Sequence, residues 1–368
     1  MTRRGTPPTG KTQRATAAGT ARLRERFAEG FADDFFRPFA GGLVASSIGI
    51  GTYLGECDDA DDASYAVAIR AALDRGINVI DASINYRCQR SERTVGAALR
   101  DAIAAGVVAR DEVIVCTKGG YIPLDGSTPP TREDYLAYLQ RTFVDPGIVS
   151  AEDVGGGGHS LSPSFLAHQI QSSQANLGVR TLDVYYLHNP EQQLDYVQPA
   201  RFRTMLRRAF ALLEERVASG DIGCYGCATW NGMRTPPDAR GHLDITELVA
   251  IARDVGGDDH HFRVVQVPVN LAMSEAVRAP TQKLGGRRVV PLLQAAAELG
   301  ISVVASATLM QSRLTTGLPT ALRETFPSLT TDAQRAIAFV RALPGVTGAL
   351  VGMRSVDHVD ENLAAARR

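Results

Sequence analysis

From residue 43 onward the chain alternates short, β-branched apolar runs with longer segments whose apolar residues recur at helical spacing. The runs cover 43–48, 77–81, 112–118, 182–188, 222–228, 264–270, 301–307 and 346–352. Read as strands they number eight, and their continuous apolar character is that of strands buried on both faces. Between them, Val95, Ala98, Leu99, Ala102 and Ile103 share one face of a helix over 91–104. Phe202, Leu206, Ala209, Leu213 and Val217 do the same over 201–219. Gly76, Gly220 and Gly300 stand where helices must end, just before the next run.

Eight strands alternating with helices predict an α/β fold with a parallel sheet, closed as a (β/α)8 barrel of the TIM type. An open doubly wound sheet is the competing layout, and it needs a glycine-rich turn from the first strand directly into a helix. Gly49-Ile-Gly51-Thr-Tyr-Leu-Gly55 places its third glycine one residue late, and acidic loop residues 56–62 follow instead of a helix start. The barrel is therefore preferred. One domain over 37–368 accommodates the length, with a loop insertion at about 119–161 on the face of the barrel that carries strand C-termini. Residues 1–36 are rich in Thr, Ala, Gly and Arg and lack the apolar centre of a secretory signal, so they read as a disordered leader rather than a targeting peptide. Four consecutive glycines at 155–158 read as a flexible hinge, since no Gly-Lys-Ser/Thr follows to make a phosphate loop.

Composition narrows the function classes. Acidic and basic residues nearly cancel, 40 against 39, which gives no reason to expect nucleic-acid binding. No apolar run approaches the ~18 residues of a membrane span. Five cysteines in 368 residues are no disulfide framework. Cys224-Tyr-Gly-Cys227 reads as two small residues on a buried strand, because a zinc site needs a second pair. The chain reads as cytoplasmic. No metal set is evident, and His260-His261 reads as a solvated pair in a polar loop. The oligomeric state is not legible.

One skew remains. Only Lys11, Lys118 and Lys283 are lysines; every other basic residue is Arg. Lys118 closes a strand, where a compact ammonium whose pKa shifts readily differs from a guanidinium held charged. Polar groups at strand C-ends form a short set: Asp81, then Tyr86 five residues on, Lys118 and His188. They come from three consecutive strands, neighbours around a barrel. Singly, Asp81 could cap a helix and His188 could be a satisfied, half-buried histidine. Together they suggest that Tyr86 transfers a proton, Lys118 lowers its pKa, Asp81 pairs with Lys118 and His188 orients a substrate oxygen.

These segments resemble the aldo-keto reductase family over nearly all of the chain beyond the leader. Gly49-Ile-Gly51-Thr52 resembles the opening strand, and Gly76-Ile-Asn-Val-Ile-Asp81-Ala with Tyr86, Ser91-Glu92 and Gly96 resembles the first signature. Thr117-Lys118 and Leu187-His188 match the next catalytic segments. The resemblance implies hydride transfer between NADP(H) and a small-molecule carbonyl or alcohol, with Asp81, Tyr86, Lys118 and His188 as the catalytic set. For the cofactor it implies Gly51, Thr52, Thr229, Gln266, Ser306 and Leu309 near the nicotinamide. Gly352, Arg354, His358, Glu361 and Asn362 are implied at the adenosine phosphate. Two segments depart from the family pattern. Ala228-Thr229 stands where Ser-Asn is usual, and Ser306 stands in place of a ring-stacking aromatic, with Thr308 where Pro is usual. Two alternatives therefore stay open: proton transfer without hydride, as in an elimination or isomerisation, and a regulatory or binding subunit on the same scaffold. Tyr121, Tyr135, Tyr138, Phe143 and Trp230 either wall a pocket for an aromatic or glycosidic compound or simply pack loops.

Overall fold

The computed structural model describes residues 13–286 and 288–367. Its centre is a closed barrel of eight parallel strands: β1 (Ile48–Gly51), β2 (Val79–Asp81), β3 (Ile114–Gly119), β4 (Leu182–His188), β5 (Ile222–Ala228), β6 (Phe262–Pro268), β7 (Ser302–Ser306) and β8 (Val346–Gly352). β8 pairs with β1 and closes the ring. The two-residue period of a strand divides its side chains between two cores. Val184 and Tyr186 of β4 point into the barrel beside Ile114, Cys224, Val264 and Val304. Tyr185 and Leu187 point outward into the layer of helices. Cys224 and Cys227, three residues apart on β5, fall in the inner and outer cores respectively and are both buried.

Helices Arg90–Ala104 and Pro199–Ala218 lie where helical spacing places them. Gly76, Gly220 and Gly300 adopt φ of 88°, 79° and 67°, the left-handed turns that end a helix ahead of β2, β5 and β7.

Three expectations change. The first apolar run is split: Leu43–Ser46 pairs antiparallel with Phe36–Phe39 in a hairpin, and the barrel strand begins at Ile48. Phe39 and Ala45 of that hairpin join the inner core with Val79 and Leu350, and this closes the N-terminal end of the barrel. The expected leader is ordered over its described part; residues 1–12 lie outside the described residues. Helix Ala17–Phe27 buries Leu23 completely and ties Arg22 and Arg26 to Glu112. Ahead of that helix, Ala15 N donates to the buried carboxylate of Asp183 at 2.7 Å. Gly19 lies so close to Asp111 that a Cβ there would collide with its backbone oxygen, so this small residue lets the helix lie against the residues ahead of β3.

The loop insertion, thirdly, has its own core. Phe143, Ile122 and Val149 pack on Phe165, with Tyr135 and Tyr138 against them. Its glycine run is not a hinge but a tight turn: Gly155 N donates to His159 O at 2.8 Å and Ile122 N to Gly158 O at 2.7 Å. Gly157 and Gly158, at φ 75° and 70°, need the left-handed region there.

Candidate active site

The C-terminal ends of β2, β3 and β4 bring Asp81, Lys118 and His188 to one patch, with Tyr86 on the loop after β2. Lys118 is fully buried; its Nζ donates to Asp81 Oδ2 at 2.6 Å and to Ala82 O at 2.8 Å. The same Nζ lies 4.7 Å from the centre of the Tyr86 ring. Tyr86 and His188 meet edge to face, with ring centres 5.8 Å apart.

Neighbours hold each member. Thr117 donates to the buried carboxylate of Glu92 at 2.6 Å, and Asn176 donates to its other oxygen at 2.9 Å. This fixes β3 beside Lys118 and gives Ser91-Glu92 of the first signature a structural role. His159 bonds the backbone oxygen of His188 at 2.8 Å through Nε2, and Gln193 holds His159 at its Nδ1. Residues 87–89 follow Tyr86 with φ of 47°, 53° and 66°, a left-handed run of non-glycine residues. A salt bridge from Arg87 to Asp62 at 2.6 Å and a hydrogen bond from Gln89 Nε2 to Leu124 O brace it.

Burial dominates the electrostatics. It pushes the Tyr86 phenol up, and the Lys118 charge pulls against it without cancelling it. Lys118 thus acts in the expected direction, but the phenol ends above its ordinary value. Burial presses the Lys118 ammonium toward neutrality; Asp81 and Tyr86 outweigh this, and it stays charged. Burial, then the charge of Lys118, holds His188 well below its ordinary value, so the imidazole is neutral.

Above this patch opens a cavity of about 430 Å³. Gly51, Thr52, Asp81, Tyr86, His188, Thr229, Gln266, Ser306, Leu309 and Gly352 all line it. Arg354, His358, Glu361 and Asn362 lie beyond its rim, at and on helix Val356–Leu363. Several polar groups are already engaged. The Thr52 hydroxyl bonds Asp81 O and Ser91. Gln266 donates to Asp81 Oδ1 at 2.8 Å. Thr229 gives its proton to Glu191 and accepts from Gly232 N at 2.8 Å. Arg354 pairs with Asp61 at 2.6 Å.

Sequence reasoning missed Glu191 altogether. Its Oε1 takes the Thr229 hydroxyl and the backbone N–H groups of Trp230, Asn231 and Gly232, so one buried carboxylate shapes the loop after β5. Nothing in the periodicity marks an acid in the loop after β4 as buried. Tyr53, edge to face with Tyr86 at 5.0 Å, and Asn85 were missed as well. Of the aromatics named in advance, Tyr121 and Trp230 reach the cavity, whereas Tyr135, Tyr138 and Phe143 pack the insertion. His260 is buried, contrary to expectation, whereas His261 stays partly exposed and bonds Glu214 at 2.7 Å. Among the described residues no group of three or more His, Cys, Asp or Glu is placed to hold a metal ion, and no helix is long and apolar enough to cross a membrane.

The sequence profile of the Aldo/keto reductase family matches residues 47–322, three quarters of the chain. The chain belongs to the aldo/keto reductase family. It is 29% identical over 167 residues to a D-threo-aldose 1-dehydrogenase from Pseudomonas sp., a match that spans 45% of this chain and 44% of that protein. An aldo/keto reductase from Klebsiella pneumoniae, solved with NADP and acetate, superposes with a TM-score of 0.59 at 23% identity and covers 90% of this chain and 89% of its own. A holo-form aldo-keto reductase from Bacillus halodurans gives 0.57 at 18% identity, covering 90% of each chain. These likenesses carry the (β/α)8 architecture of the family. The fold implies a nicotinamide dinucleotide as cofactor, the kind of molecule that the Klebsiella pneumoniae structure holds. A cavity open from Tyr86 to the glycines Gly51 and Gly352 leaves room for it, and the buried Thr308 hydroxyl in its wall lacks a partner. Ser306 supplies no ring to stack on.

Proposed function

We propose that the protein is an NADP(H)-dependent oxidoreductase that interconverts a small-molecule carbonyl and its alcohol, in the cytoplasm, with Tyr86 as general acid and base. The observation that carries this reading is the buried Lys118–Asp81 pair beneath Tyr86 and His188 on the floor of the cavity. NADP(H), when bound, supplies or takes the hydride. In reduction, Tyr86 gives its hydroxyl proton to the substrate oxygen as negative charge develops there. Lys118 offsets the charge left on the phenolate, and Asp81 keeps Lys118 in place. Neutral His188 orients the same oxygen without competing for the proton. Gln266, Ser306, Leu309 and Thr229 would line the nicotinamide, while Gly352, Arg354, His358, Glu361 and Asn362 would receive the adenosine phosphate.

Tyr53 and Trp230 stand 56% and 44% exposed at the rim, with Tyr121, Asn85 and Asn189 below them. Flat aromatic faces beside amide groups suit an aldose or a comparable polyhydroxy or glycosidic carbonyl compound, the class the Pseudomonas relative's name indicates.

One observation favours proton transfer without hydride as a second reading. The Thr229 hydroxyl and the Gln266 amide are both committed to carboxylates. Titrating the purified protein with NADPH while following nucleotide fluorescence separates the two. Saturable binding, followed by turnover of a panel of aldoses and ketones, supports the redox reading; no saturation overturns it.

A further inference from the structure

Cys57 lies in the loop after β1, and Cys88 lies two residues after Tyr86. Their Sγ atoms are 2.9 Å apart, and both are thiols. Cys57 is partly exposed, whereas Cys88 is buried. The other three cysteines, Cys116, Cys224 and Cys227, are buried on β3 and β5, so Cys57 is the one cysteine that is not buried among the described residues. Cys88 sits in the left-handed run 87–89, and its backbone oxygen accepts from Gly126 N at 3.0 Å. Cys57 lies four residues after Tyr53, whose ring covers Tyr86. Joining the two sulfurs requires them to approach by roughly 1 Å, to the ~2.05 Å of a disulfide.

We propose that Cys57 and Cys88 form a reversible dithiol–disulfide site that pins the Tyr53 loop to the Tyr86 loop. The oxidant is a hydroperoxide. The Cys57 thiolate attacks one peroxide oxygen; the S–O bond forms, the O–O bond breaks, and the departing oxygen takes up protons as water. Cys88 then attacks the sulfenic sulfur of Cys57. The S–S bond forms, the S–O bond breaks, and hydroxide leaves with the Cys88 proton as a second water. Two thiols lose two electrons and one hydrogen peroxide becomes two waters. A dithiol reductant reverses the change by thiol–disulfide exchange. The partly exposed Cys57 meets the oxidant, and the buried Cys88 resolves it before a second peroxide arrives. Burial, then the neighbouring Cys57, pushes the Cys88 thiol up to about 12, while Arg90 and Asp125 oppose one another there; Cys88 therefore attacks as its proton leaves with the departing hydroxide.

The test needs no reaction at the cavity. The full chain is treated with a few equivalents of hydrogen peroxide, alkylated, digested without reductant and mapped by mass. The expected product is one cross-linked peptide pair containing Cys57 and Cys88, lost on dithiothreitol treatment and absent in Cys57→Ser. In oxidised wild-type protein, amide hydrogen exchange across 53–57 slows at least severalfold; in Cys57→Ser treated identically it does not change. Cys57 recovered as a sulfinic acid or left unmodified, with Cys88 alkylated, overturns the proposal. A cross-link that leaves exchange across 53–57 unaltered overturns the pinning of the loop. The half-exposed Cys57 carries the variant, which spares the buried position.

Discussion

At the residue scale the site separates proton handling from structure. Tyr86→Phe removes the proton and little else. Turnover in the reductive direction is expected to fall by ~10²- to 10⁴-fold while NADPH binding persists, measured by steady-state kinetics beside a nucleotide titration. The pH profile follows from the directions of the shifts. Reduction needs the phenol protonated, and burial holds its pKa above the ordinary 10.0. His188, held well below 6.5, is already neutral at that pH and above. The reductive rate should therefore stay flat from pH 6.5 to 10 and decline only beyond, if the chemical step is rate-limiting. A decline centred near pH 7 would sink the assignment of Tyr86 as the acid. Glu191 offers a different test, because its value lies in shape. Burial raises its pKa despite the donors on Oε1, and Oε2 has no partner. Glu191→Gln retains an acceptor and is expected to unfold within about 1 kcal/mol of wild type. Glu191→Ala strands the Thr229 hydroxyl and the Trp230 and Asn231 N–H groups, with Gly232 N keeping Thr229, and should cost ~2–3 kcal/mol in urea unfolding. Equal losses in the two variants would show that the oxygen does not organise the loop.

At the element scale, the segment before the hairpin has more to do than its composition suggests. Helix Ala17–Phe27 has only one large buried apolar residue, Leu23, so apolar periodicity was too weak to register it. Its attachment comes from partners distant in sequence: Glu112 for Arg22 and Arg26, and Asp183 for Ala15. Leu23→Ala should cost ~2–5 kcal/mol, read as a lowered denaturation midpoint, whereas a freely solvated leader would show no change. The same contrast explains what the sequence made legible. Strands buried on both faces, such as β4 and β5, announce themselves as continuous apolar runs, and their ends fall where the pattern puts them. Asp81, Lys118 and His188 were legible because they terminate such runs. The hairpin was not, since only Ser47 separates its second strand from the barrel strand that begins at Ile48, and 43–48 reads as one run. Glu191 and Tyr53 were not, because loop geometry alone turns them inward or over the phenol. Thr229 lines the cavity, yet the commitment of its hydroxyl to Glu191 depends on a fold of loop that no local pattern encodes.

At the scale of the whole molecule, closing the barrel joins the first βα unit to the last. Asp61, on the helix after β1, thereby meets Arg354 after β8, 293 residues away in sequence. The backbone N–H of Glu56, outweighing partial burial, and Arg354 itself hold Asp61 below the ordinary carboxylate range, so it is charged at neutral pH. If Arg354 receives the adenosine 2′-phosphate, that phosphate must compete with Asp61 for the same guanidinium, and it also meets a like charge nearby. NADH has no phosphate there and meets neither effect. Arg354 is half exposed, which limits the pair to ~0.2–1 kcal/mol. Asp61→Asn should therefore tighten NADPH by roughly two- to fivefold and leave NADH nearly unchanged, with the gain shrinking as salt screens both charges. Parallel calorimetric titrations of the two nucleotides measure this directly. Equal changes for both would place the phosphate away from Arg354, and weaker NADPH binding would mean that Asp61 orients the arginine for the phosphate instead of competing with it.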